Sequence, residues 1–166
     1  AVGVVGDLTR ESDAVALVTT AVERFGRLDV LVNNAGMTST AAGSDVDADV
    51  ESLAVEDWRA SISRNLDTAF LVSRAAVPAM RAQGYGRIVT VSSTTGIVSA
   101  MPGQASYAAA KAALVGLSRA LAIEVVAAGI TVNVVAPGYV ATGSQLEFEV
   151  GAADSGPIGR SGTPAE

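Results

Sequence analysis

Tyr107 and Lys111 lie four positions apart in GQASYAAAKAAL, residues 103–114, an Ala-rich stretch that should be helical. Residues at i and i+4 share one helix face, so the ammonium would lie beside the phenol. A free phenol titrates near pH 10, and acid–base work near neutrality needs a shift of roughly three pH units, about 4 kcal/mol. A nearby positive charge favours the phenolate. The spacing therefore predicts a proton donor and acceptor, although alone it more often reflects a ring packed on a lysine stem.

Two residue types that dominate enzyme active sites are absent: the chain has no cysteine and no histidine. This excludes disulfides, thiol nucleophiles, zinc sites of the Cys/His type and hydrolytic triads with an imidazole base. Acid–base chemistry must therefore use Tyr, Lys, Asp or Glu.

The composition favours a single domain over residues 1–166, with 49% hydrophobic residues and a formal charge of −6. The negative charge argues against a nucleic-acid partner, and no stretch of 18 residues is apolar enough to suggest a membrane span. We expect a soluble, cytoplasmic protein. The sequence begins on AVGVVG without an initiator Met or a leader, which indicates a segment of a longer chain.

Short Val- and Ile-rich runs alternate with amphipathic segments. The predicted strands are 1–6, 27–34, 86–93 and 129–136, and the predicted helices are 11–25, 55–82 and 104–128. This order is typical of an α/β fold, a doubly wound parallel sheet of Rossmann type with helices on both faces, incomplete in this chain. Thr9 or Ser12 is the expected N-cap of the first helix and Gly26 its C-terminal stop, and Pro78 should kink the second helix.

Two segments do not belong to this alternation of predicted strands and helices. The polar connection 37–54 has the length of a functional lid. Its acidic residues, Asp45, Asp47 and Asp49, approach the spacing of a calcium loop, but Val50 stands where such a loop needs glycine, so a solvated loop is favoured and no metal site is predicted. The Gly-, Ser- and Pro-rich tail, 143–166, is expected to be mobile.

Polar or tight sequences follow each predicted strand, where ligands bind in sheets of this kind. They are Asp7, Asn33-Asn34-Ala35-Gly36, Ser92-Ser93 and Pro137-Gly138. Together with the motifs NNAG (33–36), RNLDTAF (64–70), IVTVSS (88–93), YAAAK (107–111) and VNVVAPGYVAT (132–142), they make the sequence resemble the short-chain dehydrogenase/reductase family over nearly its whole length. No single motif is specific, but the ordered set is.

The resemblance implies a catalytic set of four residues. Tyr107 would be the proton donor and acceptor, Ser93 would polarise the substrate oxygen, Lys111 would assist Tyr107 and hold the nicotinamide ribose, and Asn65 would organise a proton-relay water. Ser93 stands three residues before Gly96 and is preferred to Thr94, which remains an alternative. Asn65 could instead kink its helix, and the serines could simply cap a strand.

The resemblance also implies binding of NAD or NADP. The residues that would contact the cofactor are Asp7, Leu8, Asn34, Ala35, Gly36, Tyr107, Lys111, Pro137, Gly138, Val140 and Thr142. Bland alternatives exist: Asp7 could be an acid at the start of a helix, the NNAG turn could serve close packing of the backbone, and Pro137-Gly138 could be an ordinary turn.

The family's first strand, its glycine-rich pyrophosphate turn and the strand that selects NAD or NADP have no counterpart before Asp7. The strand predicted at 1–6 would then lack its neighbours and remain unpaired. We therefore expect that this chain alone has no closed dinucleotide site and does not turn over, whereas its parent protein does.

The expected activity of the parent is hydride transfer between a nicotinamide and a ketone or secondary alcohol. GQASYAAAK and PIGRSGTPAE most resemble the 3-oxoacyl-acyl-carrier-protein reductases, so the first choice of substrate is a small or carrier-bound β-keto thioester. A hydroxysteroid, sugar or polyol dehydrogenase and a catalytically silent binding protein are the alternatives. Apolar residues on several faces of the helices at 55–82 and 104–128, Trp58 and Phe70 among them, favour core packing or a homodimer or homotetramer.

Overall fold

The computed structural model describes residues 1–36, 48–142, 147–156 and 158–166. Most of the 37–54 connection, with Asp45 and Asp47, therefore lies outside the described residues. Among the described residues no helix is both long and apolar enough to cross a bilayer.

Helices and strands alternate along the chain as predicted from residue 11 onward. The helices are α1 (Glu11–Phe25), α2 (Val55–Ile62), α3 (Thr68–Gln83), α4 (Ala105–Val125) and α5 (Glu147–Asp154), and the strands are β1 (Val30–Asn33), β2 (Gly86–Val91) and β3 (Ile130–Val135). A π-helical turn, Ser63–Asp67, joins α2 to α3, and a 3₁₀ turn, Val126–Ala128, ends α4. Helix α5 falls in the tail, for which no element was predicted.

The three strands form one parallel sheet in the order β1-β2-β3. Leu31, Ile88 and Val132 occupy one row of the register and Val32, Val89 and Asn133 the next. Because side chains alternate across a strand, the two rows point to opposite faces of the sheet.

The helices cover the face of the sheet that carries Leu31 and Ile88. One buried cluster joins α1 to α3 through Ala14, Val18, Val72 and Ala76, and a second joins α3, β2, α4 and β3 through Met80, Ile88, Val125 and Ile130. Leu31 packs against both clusters. Consecutive right-handed crossovers in the order β1-β2-β3 place their helices on the same face.

The opposite face of the sheet is more open than the sequence predicted. Val30, Val32 and Val135 are about half exposed, and only β2 is buried or half-buried along its whole length. Among the described residues the helices therefore cover one face, which fits the prediction of a doubly wound sheet that is incomplete in this chain. The parallel sheet itself is confirmed.

Two local predictions about the N-terminal region are wrong. Residues 1–6 form no strand and are exposed, because a strand needs a neighbour for its backbone N–H and C=O groups and these residues pair with none of the described strands. Helix α1 starts after Arg10, with no side-chain cap from Thr9 or Ser12. The C-terminal stop is confirmed: Gly26 adopts a left-handed conformation with φ 76° and donates its N–H to Val22 O.

Gly129 permits the close approach of two connections. It lies between α4 and β3 with φ +73°, and a Cβ at this position would lie 2.4 Å from the carbonyl oxygen of Gly84, at the end of α3. A side chain here would therefore meet both backbone strain and a backbone clash.

Replacing Gly129 by Ala should lower the free energy of unfolding by about 2 kcal/mol or more, given the left-handed backbone and the contact with Gly84. Urea denaturation followed by circular dichroism measures this. The matched control is Gly116→Ala within α4, where a Cβ would meet nothing within 4 Å. That substitution should be neutral or stabilise the helix by about 0.5–1 kcal/mol. Equal effects of the two substitutions would contradict the explanation.

Candidate active site

The loops that follow β2 and β3 are held together at the carboxyl edge of the sheet. The N–H of Ser92 donates to Val135 O at 2.8 Å, and the N–H of Thr94 donates to Pro137 O at 3.0 Å. The ladder between the strands therefore continues into the loops, and it brings the predicted serine and Pro-Gly segments to one edge.

Lys111, the only lysine in the chain, is buried behind this edge. The side chain is 5% exposed, and its ammonium donates to the main-chain oxygen of Val91 at 3.1 Å. The Nζ atom lies 5.6 Å from the ring centre of Tyr107, within the range of a cation–π contact. Burial lowers the pKa of Lys111 below its usual value, because a desolvated ammonium is less favourable than the neutral amine.

Asn65 lies in the π-helical turn that joins α2 to α3 and is 1% exposed. Its Nδ2 donates to the main-chain oxygen of Ser61 at 3.0 Å. Single π-helical turns inside helices occur frequently at functional sites. The backbone-bonded alternative for Asn65 is thus part of the observed geometry, and this bond fixes the side-chain amide.

Gly36 shows that Asn65 and Lys111 converge. A Cβ at Gly36 would lie 2.8 Å from Oδ1 of Asn65 and 3.4 Å from Nζ of Lys111. The end of the NNAG turn therefore approaches both side chains, and only glycine leaves room for them. Gly36, Asn65, Lys111 and Tyr107 form one group, which we call the lysine cluster.

Ser93 takes part in the turn that follows β2. It is half-buried, and its Oγ accepts a hydrogen bond from the N–H of Thr95 at 3.1 Å, as expected of a residue that opens a turn. Gly96, with φ +93°, lies so close to α4 that a Cβ would be 2.2 Å from Ala108 O. This turn therefore packs against α4 next to Tyr107. The roles of Ser93 and Thr94 toward a substrate remain predictions.

Three of the residues predicted to bind the cofactor, Leu8, Asn34 and Ala35, line one groove beside β1. Asp7 instead contacts Thr9: its Oδ1 accepts hydrogen bonds from the hydroxyl and the N–H of Thr9. These bonds lower the pKa of the Asp7 carboxyl. Its exposed side chain thus orders the chain before α1, and its contact with the cofactor remains a prediction.

Four more of the residues predicted to contact the cofactor follow β3, namely Pro137, Gly138, Val140 and Thr142. Beyond Pro137, Val140 forms an isolated parallel bridge with Gly162, and the N–H of Thr142 donates to Val140 O at 2.8 Å. The bridge ties this segment to the C-terminal residues. A Cβ at Gly138 would meet no atom within 4 Å, and the contact of Gly138 with the cofactor remains a prediction.

Sequence reasoning named Ser92 only as one of the two serines after β2 and gave it no role in the site. It is buried, and its hydroxyl donates to the main-chain oxygen of Lys111 at 2.6 Å. The alternation along β2 could have identified it, since Gly86, Ile88 and Thr90 are buried and Ser92 continues their period of two. The π-helical turn had no comparable signal.

A family model described as short chain dehydrogenase matches residues 1–150. The chain belongs to the short-chain dehydrogenase family. Within this family it is 38% identical over 136 residues to a D-beta-hydroxybutyrate dehydrogenase of Rhizobium meliloti, which covers 82% of this chain and 50% of that relative. It is 46% identical over 118 residues to the 3-oxoacyl-[acyl-carrier-protein] reductase of Escherichia coli, covering 71% of this chain and 45% of the relative.

A solved structure agrees with this family assignment. The crystal structure of a short-chain dehydrogenase/reductase from Burkholderia xenovorans matches with a TM-score of 0.76 and 37% identity, over 84% of this chain and 50% of that one. The chain thus spans about half the length of these short-chain dehydrogenases.

The buried lysine should make stability depend on pH. Because folding lowers the pKa of Lys111, the unfolded chain binds more protons in the range just below pH 10.5, and the free energy of unfolding should rise with pH there. Lys111→Met should remove this rise, as measured by urea denaturation at several pH values. Arg119→Met, which removes a charge from an exposed position of the same helix, is the control and should retain it. A rise that persists in Lys111→Met would refute the explanation.

Proposed function

We propose that this chain carries the proton-transfer half of an NAD(P)-dependent oxidoreductase that interconverts a ketone and a secondary alcohol. The observation that supports this most directly is the lysine cluster: a buried ammonium beside a phenol ring, with an amide oxygen and a glycine turn around the same point. Membership of the short-chain dehydrogenase family supplies the redox chemistry to which such a cluster is suited.

In this proposal Tyr107 donates the proton to the carbonyl oxygen during reduction and takes it back during oxidation. Lys111 favours the phenolate through its positive charge, and its lowered pKa brings its own titration closer to neutrality. Asn65, held by its bond to Ser61, would orient a water that connects the cluster to solvent. Ser93 would hold the carbonyl oxygen by a hydrogen bond.

The cofactor, NAD or NADP, would supply the hydride. The residues present fit one half of such a molecule: Leu8, Asn34 and Ala35 line a groove beside β1, and Gly36, the residue after Ala35, belongs to the lysine cluster. Lys111 would hold the ribose, and Pro137, Gly138, Val140 and Thr142 would face the nicotinamide amide. The glycine-rich pyrophosphate turn is not in this sequence, so the other half has no residues assigned to it.

A 3-oxoacyl thioester is the proposed substrate. An acetoacetyl-CoA reductase of Acinetobacter sp. is 42% identical to this chain over 139 residues, covering 84% of the chain, and the Escherichia coli relative is named a 3-oxoacyl-[acyl-carrier-protein] reductase. The name of the Rhizobium meliloti relative favours a second candidate of the same chemistry, a 3-hydroxy acid.

Tyr107→Phe tests the proposal. In the chain extended at its N-terminus by the strand, glycine-rich turn and helix of a relative, the substitution should lower kcat by about 100-fold or more because the proton path is lost. Cofactor binding should not change. Oxidation of the reduced nicotinamide with acetoacetyl-CoA measures the rate, and cofactor fluorescence measures the affinity.

Tyr85→Phe is the matched control for this experiment, because Tyr85 lies before β2, where its ring contacts Arg87. It should leave the rate unchanged. The 166-residue chain without the extension should show no turnover. Full activity of Tyr107→Phe would refute the role of the phenol, and loss of cofactor binding alone would favour a silent binding protein.

We also propose that the chain self-associates through the groove between α3 and α4. Apolar residues line this groove, namely Phe70, Val77, Pro78, Leu117 and Leu121. Arg74, Arg81 and Glu124 lie along it with charges of both signs, which allows a second copy to pair with it around a two-fold axis. Phe70 is 46% exposed, which is unusual for a large aromatic side chain.

Phe70→Arg should therefore shift the protein toward the monomer, because a buried unpaired guanidinium is costly at an interface. Light scattering coupled to size-exclusion chromatography measures the mass. Ile123→Arg is the control, since Ile123 is exposed on α4 and does not line the groove. Equal masses for Phe70→Arg and the unsubstituted chain would contradict this interface.

A further inference from the structure

The end of β2 contacts Lys111 at two points. The hydroxyl of Ser92 donates to the main-chain oxygen of Lys111 at 2.6 Å. The ammonium of Lys111 donates in the opposite direction, to the main-chain oxygen of Val91 at 3.1 Å. Val91, the last residue of β2, and Ser92, which follows it, thus contact the two ends of a single lysine.

The Ser92 hydrogen bond is not needed to satisfy the helix. Lys111 lies inside α4, where its carbonyl oxygen already accepts from the N–H of the residue four positions later, and a carbonyl has a second lone pair. The bond from Ser92 uses this second position. The hydrogen bond from Ser92 therefore fixes the distance between α4 and the end of β2, and the rotation of α4 about its own axis.

The second contact depends on this fixed geometry. A lysine side chain has four rotatable bonds, so its ammonium can reach many positions. An ammonium exposed to water is normally more favourable than a buried one. Lys111 is nevertheless 5% exposed, and Ser92 is 4% exposed. With the backbone of residue 111 held against the strand end, the side chain extends toward Val91 O and Gly36.

We propose that Ser92 is a positioning residue, which anchors the backbone of Lys111 so that the ammonium is held in the lysine cluster. The inference deepens the proposed function and rests on it for its catalytic meaning. Ser92 acts through Lys111; the substrate hydroxyl contact is assigned to Ser93. The neighbouring serines would thus have different tasks, one inside the protein and one at the surface of the site.

The only lysine of the chain gives a direct test. Lysine labelled with ¹³C places one Cε signal in the NMR spectrum, and its shift against pH reports the pKa of Lys111 in the folded 166-residue chain. In Ser92→Ala the ammonium should gain access to water, and the pKa should rise toward its ordinary value by about half a pH unit. Tyr107, the titratable side chain in contact with Nζ, is unchanged in all variants.

Two further variants separate positioning from simple loss of a buried hydrogen bond. Ser92→Thr keeps the hydroxyl and should titrate like the unsubstituted chain. Ser118→Ala removes another buried hydroxyl from α4, where Ser118 is 4% exposed, and should lower stability without moving the Lys111 pKa. Ser92→Cys keeps the size with a weaker donor and should give a smaller rise than Ser92→Ala.

An unchanged Lys111 pKa in folded Ser92→Ala would overturn the proposal. So would a failure of both Ser92→Ala and Ser92→Cys to fold while Ser118→Ala folds, because the hydroxyl would then serve folding rather than positioning. The titration requires no turnover. A negative result here therefore leaves the Tyr107→Phe result standing, and a failure of Tyr107→Phe leaves the titration interpretable.

Discussion

The burial of one ammonium group is the constraint on which this site depends. Removing a positive charge from water is costly unless polar groups replace the water. The protein supplies the main-chain oxygen of Val91, and the ring of Tyr107 lies within cation–π range. Each of these partners comes from an element that must be correctly placed, β2 or α4 itself. A favourable environment for Lys111 therefore exists only when α4 is correctly positioned against the end of β2.

The same packing explains features that would otherwise be unrelated. Gly36 lacks a side chain where Asn65 and Lys111 approach the NNAG turn, and Gly96 lacks one where the loop after β2 meets Ala108. The π-helical turn at 63–67 directs the side chain of Asn65 inward, where it bonds to Ser61. Three backbone segments thus pack closely around the site: the NNAG turn, the loop after β2 and the π-helical turn. The result is a site built on the ends of strands and on helices.

The sheet around this site is only partly covered. With the order β1-β2-β3, all crossover helices lie on one face, and valines of β1 and β3 are exposed on the other. Residues 1–6 are exposed as well. The groove beside β1, in contrast, is lined in part by Leu17 of α1 and Val72 of α3. The relatives in this family are about twice as long as the chain. The chain thus corresponds to about half of such a relative, and the lysine cluster forms within that half.

Local signals in the sequence determined α1 to α4 and the three strands of the sheet, but not α5. Alanine content, the stop at Gly26 and the Val-rich runs act over a few residues, so α1, α4 and β2 were predicted closely. The i, i+4 spacing likewise determined that Tyr107 and Lys111 share a face. Tertiary structure alone decided what depends on distant neighbours: whether residues 1–6 have a strand to pair with, which face of the sheet is covered, that Lys111 points inward to Val91, and that Ser92 holds its backbone. Hydrogen-bond partners and burial come from segments far apart in the chain, and no local pattern encodes their distance.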